Sequence, residues 1–181
     1  MRLSRPLLAR VAVGMSGGID SSVAALLLKR AGHEVLGVYM TNWDRLAADE
    51  PCSSDRDLQD MREVCRALDI PAYEVNLAKD YWLEVFEPLL EEYRSGHLTP
   101  NPDVNCNRLI KFDKFLFYCL EKWKVDLVAT GHYARLEDRV DESGRRYRAL
   151  LRGVDSLKDQ SYFLSTTPVR YLNSYLMRLP E

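Results

Sequence analysis

Residues 11–22 read VAVGMSGGIDSS, an apolar, β-branched run that passes through a glycine-rich turn into a segment of helical character. The run predicts a strand over residues 8–13, and SSVAALLLKR predicts a helix over 21–30 that Gly32 ends. EVLGVYM then predicts a second strand over 34–40. A strand, a glycine turn and a helix together aim backbone N–H groups and the positive end of a helix dipole at an anion. Gly14, Gly17 and Gly18 lack the Cβ that would hold a phosphate away, and Ser16, Ser21 and Ser22 carry hydroxyl donors. Asp20 has two open roles, capping the helix or helping to hold a magnesium ion that accompanies a nucleotide. Neither GxxxxGK[ST] nor GxGxxG occurs in the loop, which argues against ordinary kinases and dinucleotide enzymes.

Outward from this loop the same alternation continues. Leu58, Met61, Val64, Cys65 and Leu68 fall at helical spacing over 55–68, and a short strand is expected over 72–75. A broad apolar face predicts a helix over 81–94, with Pro88 kinking or breaking it. A loop over 95–105, a helix over 109–123 and a buried strand over 126–130 follow. That makes about four parallel strands in an α/β fold with helices on both faces of the sheet. Residues 133–136 and 147–151 flank a Ser-Gly turn and predict an antiparallel hairpin. The expected organisation is an extension over 1–10, one principal domain over 11–165, and the start of a further region over 166–181.

Composition limits the rest. The chain of 181 residues is 46% hydrophobic and 29% charged, enough for one filled core. No stretch reaches the roughly 18 apolar residues of a membrane-spanning helix, so no membrane partner is expected. Cys52, Cys65, Cys106 and Cys119 are scattered, without CxxC pairing, which favours a reducing compartment. The net charge of −2 confines any nucleic-acid contact to a local surface. Arg145, Arg146, Arg148 and Arg152 on the hairpin form such a surface, or else a solvated face. Cys65 and Cys119 lie on apolar helix faces and read as structural.

SGGIDSS resembles the PP-loop of the N-type ATP pyrophosphatases, which cleave ATP between the α- and β-phosphates to adenylate a substrate. Further motifs follow in order: MTNW at 40–43, DYW at 80–82, TPNPDVNC at 99–106 with Asn107, Lys111 and Phe112 after it, TGHY at 130–133, and KDQSYFL at 158–164. Together they resemble the tRNA-specific 2-thiouridylase family from about residue 11 to about residue 164. The resemblance implies adenylation of O2 of the wobble uridine, then replacement of that oxygen by sulfur from a protein persulfide fed by a cysteine desulfurase relay. Loss of AMP in place of hydroxide opens C2 to a sulfur nucleophile. By the same resemblance, Gly14, Met15, Ser16, Gly17, Gly18, Ile19, Asp20 and Ser21 cradle ATP with its Mg2+, and Met40 and Gly131 meet the adenosine. Asn101, Pro102 and Asp103 meet the target base, Lys158, Asp159 and Gln160 touch tRNA, and Cys106 matches the first of two catalytic cysteines.

Asp103 and Cys106 stand three residues apart, so one helical turn would let the carboxylate accept a proton during activation. The same carboxylate would raise the thiol pKa unless a helix dipole or metal offsets it. His132 is read equally as a hydrogen-bonding residue or a catalytic one. The family's second cysteine lies farther along than this sequence, and no cysteine follows Cys119, so the chain is expected to be part of a longer thiolase. A non-catalytic ATP- or tRNA-binding remnant and another PP-loop ligase are the alternatives. The Arg-rich start leans toward the mitochondrial matrix over a bacterial cytoplasm.

Overall fold

In β1 (Arg10–Met15) the side chains alternate between two cores. Val11, Val13 and Met15 pack against Ala25 and Leu28 of α1 (Ile19–Arg30) and Leu58, Met61 and Cys65 of α2 (Ser53–Ala67). Ala12 faces the opposite layer. Of the next strands, β2 (Glu34–Thr41) pairs with β1 and β3 (Ala72–Asn76) pairs with β2, both in parallel. The computed structural model describes residues 8–43, 53–96, 100–168, 171 and 175–176; the first seven residues, Cys52 and Thr99 lie outside them.

Beyond β3 the chain crosses to the other face of the sheet. It is helical through α3 (Ala78–Tyr81), a π-helical turn π1 (Trp82–Phe86) and α4 (Glu87–Ser95). Of the kink or break expected at Pro88, the break does not occur: the helix runs on through it. Pro88 sits in the first turn of α4, where its missing N–H costs least, and the turn before it is widened so that Glu87 N–H reaches Trp82 O.

A second correction falls at residues 101–105, expected as loop. Here α5 (Pro102–Asn105) runs directly into π2 (Cys106–Lys114) and α6 (Phe115–Trp123). Asn101 is the N-cap, its Oδ1 accepting from Val104 N–H at 3.3 Å, and Pro102 takes the first helical position. Phe112, Phe115, Leu116 and Cys119 of this helix meet Ala12, Leu36, Val38 and Val128 in the second core. Truncating a buried phenylalanine of this kind to alanine costs about 3–5 kcal/mol.

The return strand β4 (Leu127–Thr130) pairs with β1 on the side away from β2. A fifth parallel strand, β7 (Tyr175–Leu176), adds to β4, one more than expected, giving the order β3-β2-β1-β4-β7. Two residues are too few for an alternation to be read from sequence. The expected hairpin forms from β5 (Ala134–Val140) and β6 (Arg146–Arg152), followed by the short α7 (Ser161–Leu164). The sheet is therefore covered on both faces, and its order reverses between β1 and β4. Open α/β sheets bind ligands outside the strand ends at such a reversal. Among the described residues no helix is long and apolar enough to cross a membrane.

Candidate functional site

The loop between β1 and α1 is shaped by its glycines and by close packing. Gly17 has φ +80°, and a Cβ there would come within 2.4 Å of Asp57 O on α2. Gly18 is the extended N-cap of α1. The hydroxyls of Ser21 and Ser22 both donate to Gly18 O, at 3.1 and 2.8 Å, and Ser16 N–H donates to Ser21 Oγ at 3.2 Å. Gly18 N–H also donates to Ser16 Oγ at 3.4 Å, so all three hydroxyls expected to face phosphate make bonds within the loop. What the loop offers an anion is the first-turn N–H groups of α1 and their dipole. Asp20 does not cap the helix, whose N-cap is Gly18, a residue with no side chain to cap it; the Asp20 Oδ1 accepts from Tyr133 O–H at 2.8 Å.

At the reversal of strand order lies an open cavity of about 330 Å³. Gly14, Met15, Ser16, Asp20 and Ser21 form its loop side, and Met40 and Gly131 stand at the ends of β2 and β4. A Cβ on Gly131 would lie 2.6 Å from Ser21 N, so only glycine lets the β4 exit touch the start of α1. Gln160 closes the far wall and pairs with Tyr133 twice, Tyr133 N–H donating to Oε1 at 3.0 Å and Gln160 N–H donating to Tyr133 O at 2.9 Å.

Lys111 of π2 also lines this cavity, and its charge reaches Cys106, which begins the same π-helical segment. Turns of i→i+5 spacing are rare and concentrate at functional sites. Burial pushes the half-buried Cys106 thiol above its ordinary pKa; Lys111 pulls it down and Asp103 pushes it up. The expected Asp103 effect is therefore present but smaller than that of burial, and the offsetting charge is a lysine. His132 joins the same wall. Its Nδ1 lies 2.7 Å from Thr130 Oγ1 and its ring packs on Phe112. Burial, with Lys111 adding to it, drives the imidazole pKa down to about 3, so the ring is neutral near pH 7.

A family model described as the tRNA methyl transferase HUP domain matches residues 9–180. The chain belongs to this family. Over 95% of its length it is 49% identical to tRNA-specific 2-thiouridylase MnmA of Lactiplantibacillus plantarum, of which it covers 44%. Over 86% of its length it is 48% identical to mitochondrial tRNA-specific 2-thiouridylase 1 of Gallus gallus, of which it covers 41%. The chain thus spans less than half the length of these curated relatives. In fold it is similar to a predicted subunit of tRNA methyltransferase from Methanocaldococcus jannaschii, with a TM-score of 0.50 at 16% identity, covering 95% of this chain and 68% of that one.

In this HUP domain the site residues singled out from sequence divide into four groups. Gly14, Met15, Ser16, Asp20, Ser21, Met40, Gly131 and Gln160 line the cavity. Gly17, Gly18 and Ile19 do not; they build its turn, with the Ile19 side chain 80% exposed. Asn101, Pro102, Asp103 and Cys106 form the start of a neighbouring helix. Lys158 and Asp159 act on the chain around them. Asp159 Oδ1 accepts from Gly153 N–H at 2.8 Å, and Lys158 Nζ stands 4.9 Å above the Tyr133 ring. Cys65 and Cys119 are buried, as expected.

The hairpin arginines make a narrower basic surface than their number implies. Arg148 pairs with Asp138 at 3.2 Å and Arg145 with Asp141 at 3.5 Å. On the cavity wall sequence reasoning missed Asp57 and gave no role to Asn42 or Lys111, which stand in the motifs at 40–43 and after 106. Lys111 lay in a quoted motif, but only π-helical spacing ties it to Cys106, and Asp57 is one acid among several at the start of α2.

Proposed function

We propose that this chain is the uridine-activating part of a tRNA 2-thiouridylase. The observation that carries the proposal is the shared position of Lys111, which lines the phosphate-loop cavity and acts on the Cys106 thiol. ATP lies with its phosphates at the N-terminus of α1 and its adenosine along Met40 and Gly131. Uridine O2 attacks the α-phosphorus, an O–P bond forms, the bond to the β-phosphate oxygen breaks, and pyrophosphate leaves. Asp103 takes the N3 proton that the base loses. The terminal sulfur of a persulfide then bonds to C2 and AMP departs with the oxygen. The Cys106 thiolate attacks the donor-side sulfur, the S–S bond breaks, a disulfide joins Cys106 to the donor, and the electron pair stays on the sulfur bound to C2 as N3 regains its proton. Cys106 acts in that second half, and the sulfur comes from a persulfide-bearing donor protein.

Two carboxylates, Asp20 and Asp57, line the cavity, a donor set that fits magnesium, which needs only one or two protein oxygens beside phosphates. The ion would neutralise phosphate charge; Asp20 is held for that task by the Tyr133 hydroxyl. Lys158, Asp159 and Gln160, with Asn101 and Pro102, are the proposed contacts to tRNA. The relatives include bacterial enzymes and a mitochondrial one, and the Arg-rich start favours the mitochondrial matrix.

The test is pyrophosphate release by this chain with ATP and unmodified tRNA. Release that needs both is the expected result. ATP binding without release would mark a non-catalytic remnant, and release driven by a small acid with ammonia, without tRNA, would mark another PP-loop ligase.

A further inference from the structure

Beside the phosphate-loop cavity lies a second hollow of about 460 Å³, lined by Asn42, Trp43, Asn76, Lys79, Tyr81 and Trp82. Trp43 and Trp82 are each 49% exposed, although both already pack on Phe86, at ring-centroid distances of 5.1 and 4.9 Å. Exposing so much indole is unfavourable for a protein surface unless something covers it. Three observations say what. Asn42 lines both hollows, so the aromatic one adjoins the phosphate-loop cavity, and the Asn42 Oδ1 is buried with no hydrogen-bond partner among the described residues. Tyr81 lies within electrostatic reach of Cys106 and Asp103, whose charges add to the effect of burial on its hydroxyl. Among the described residues the only charged side chain in the lining is Lys79, whereas the hollow on the other side of Trp82 carries Glu87 and a Glu91 that pairs with Arg94 at 3.4 Å, a net negative lining.

We propose that this aromatic hollow takes an unstacked nucleobase of single-stranded RNA, from a nucleotide flanking the reacting one. Its faces stack against Trp43 and Trp82, a donor on its edge reaches Asn42 Oδ1, and its phosphate lies on Lys79. Aromatic faces hold bases of any identity in this way, and a base drawn out of its own stack needs such a platform. The Glu87 carboxylate on the far side of Trp82 disfavours phosphate there and leaves Lys79 as the attractive charge. The inference rests on the reading of the chain as acting on tRNA, and adds where the strand runs next to the reacting uridine.

The probe is an RNA stem-loop with the target uridine in its loop, together with copies bearing an abasic site at each neighbouring position, added to this chain with ATP. Tryptophan emission and RNA affinity are read together. Emission is quenched on binding, one abasic copy loses the quench, and Trp43→Ala and Trp82→Ala each weaken RNA binding about tenfold, as loss of one stacked base does. Trp82→Phe retains most of the affinity. ATP affinity and thermal melting of each variant confirm that it is folded. RNA binding with no quench, and with the alanine variants binding as the parent does, overturns the inference and leaves the proposed function standing. Absence of any RNA binding by a chain that still binds ATP overturns both. An emission change that follows protein concentration without RNA assigns the hollow to a second copy of the chain, and also overturns it.

Discussion

The Tyr133 hydroxyl donates to Asp20 at 2.8 Å, joining the segment after β4 to the first turn of α1 across the mouth of the cavity. Lys158 completes the link, with Nζ over the Tyr133 ring and 3.4 Å from its oxygen. These bonds orient the Asp20 carboxylate on the loop side of the cavity and tie Lys158 to the same tyrosine. Tyr133→Phe keeps the ring under Lys158 and removes only the donor. Stability should fall by less than about 1 kcal/mol for so exposed a bond, while ATP binds about fivefold more weakly. Calorimetric titration with ATP checks this; unchanged affinity would show that Asp20 needs no orienting partner.

Gly131→Ala should be far more damaging than its one methyl suggests. The added Cβ would sit 2.6 Å from Ser21 N and 2.8 Å from Asp20 C, both backbone atoms of α1, so the helix start must move. Overpacking of this kind costs about 1–3 kcal/mol. ATP affinity should drop at least tenfold with it. Gly18→Ala is the contrast for folding, since its nearest neighbour, Ser16 Oγ, is 3.4 Å away and φ is −79°. Thermal melts of the two variants separate the cases.

Cys106 should alkylate slowly at neutral pH and faster as pH rises toward its elevated pKa, because only the thiolate reacts. The charges on it have opposite signs. Asp103→Asn removes a group that disfavours the thiolate and should raise the rate at fixed pH; Lys111→Met removes one that favours it and should lower the rate. Mass spectrometric mapping of labelled Cys106 over a pH series reads both shifts. Equal profiles in the two variants would mean that burial alone sets the thiol.

Much of this arrangement was legible in the chain because its signals are local. Alternating burial along β1, the glycines before α1 and the apolar face of α1 each sit within a few residues, so the βαβ order and the phosphate loop follow from sequence. The helix at Pro102 looks like loop in the sequence because proline resembles a breaker unless the preceding Asn101 is recognised as its cap. Lys111 was named only within a motif, since α-helical spacing does not bring it beside Cys106 and the π-helical turns of Cys106–Lys114 leave no compositional mark. The Asp57 approach to Gly17 is a contact between elements, which no periodicity records.

The two structural cysteines predict an alkaline weakness. Burial lifts Cys65 to about 11 and Cys119 to about 12, while the unfolded chain titrates thiols near the ordinary value of about 8.5. The unfolded state therefore gives up protons first, and stability falls as pH rises through that value. Urea midpoints should decline between about pH 8 and about pH 10, and Cys119→Ala should flatten part of the slope. A parallel decline in that variant would trace the loss to other groups.

His132 predicts the opposite limb. Its imidazole is held neutral down to about pH 3 by burial and by Lys111, whereas in the unfolded chain it takes a proton near pH 6.5. Below that value the unfolded state binds one more proton than the folded state, so stability rises with pH across this window and is lost on acidification. The groups facing the ring are Thr130, which shares a hydrogen bond with Nδ1, and Phe112, which packs on its face; neither can stabilise an imidazolium as a carboxylate would. His132→Gln retains a polar atom for Thr130 and cannot take up the proton. Its urea midpoint should therefore fall less steeply than the parent's between about pH 6.5 and about pH 4. Coincident slopes would place the acid sensitivity on the carboxylates, and would mean that the ring is solvated in its charged form.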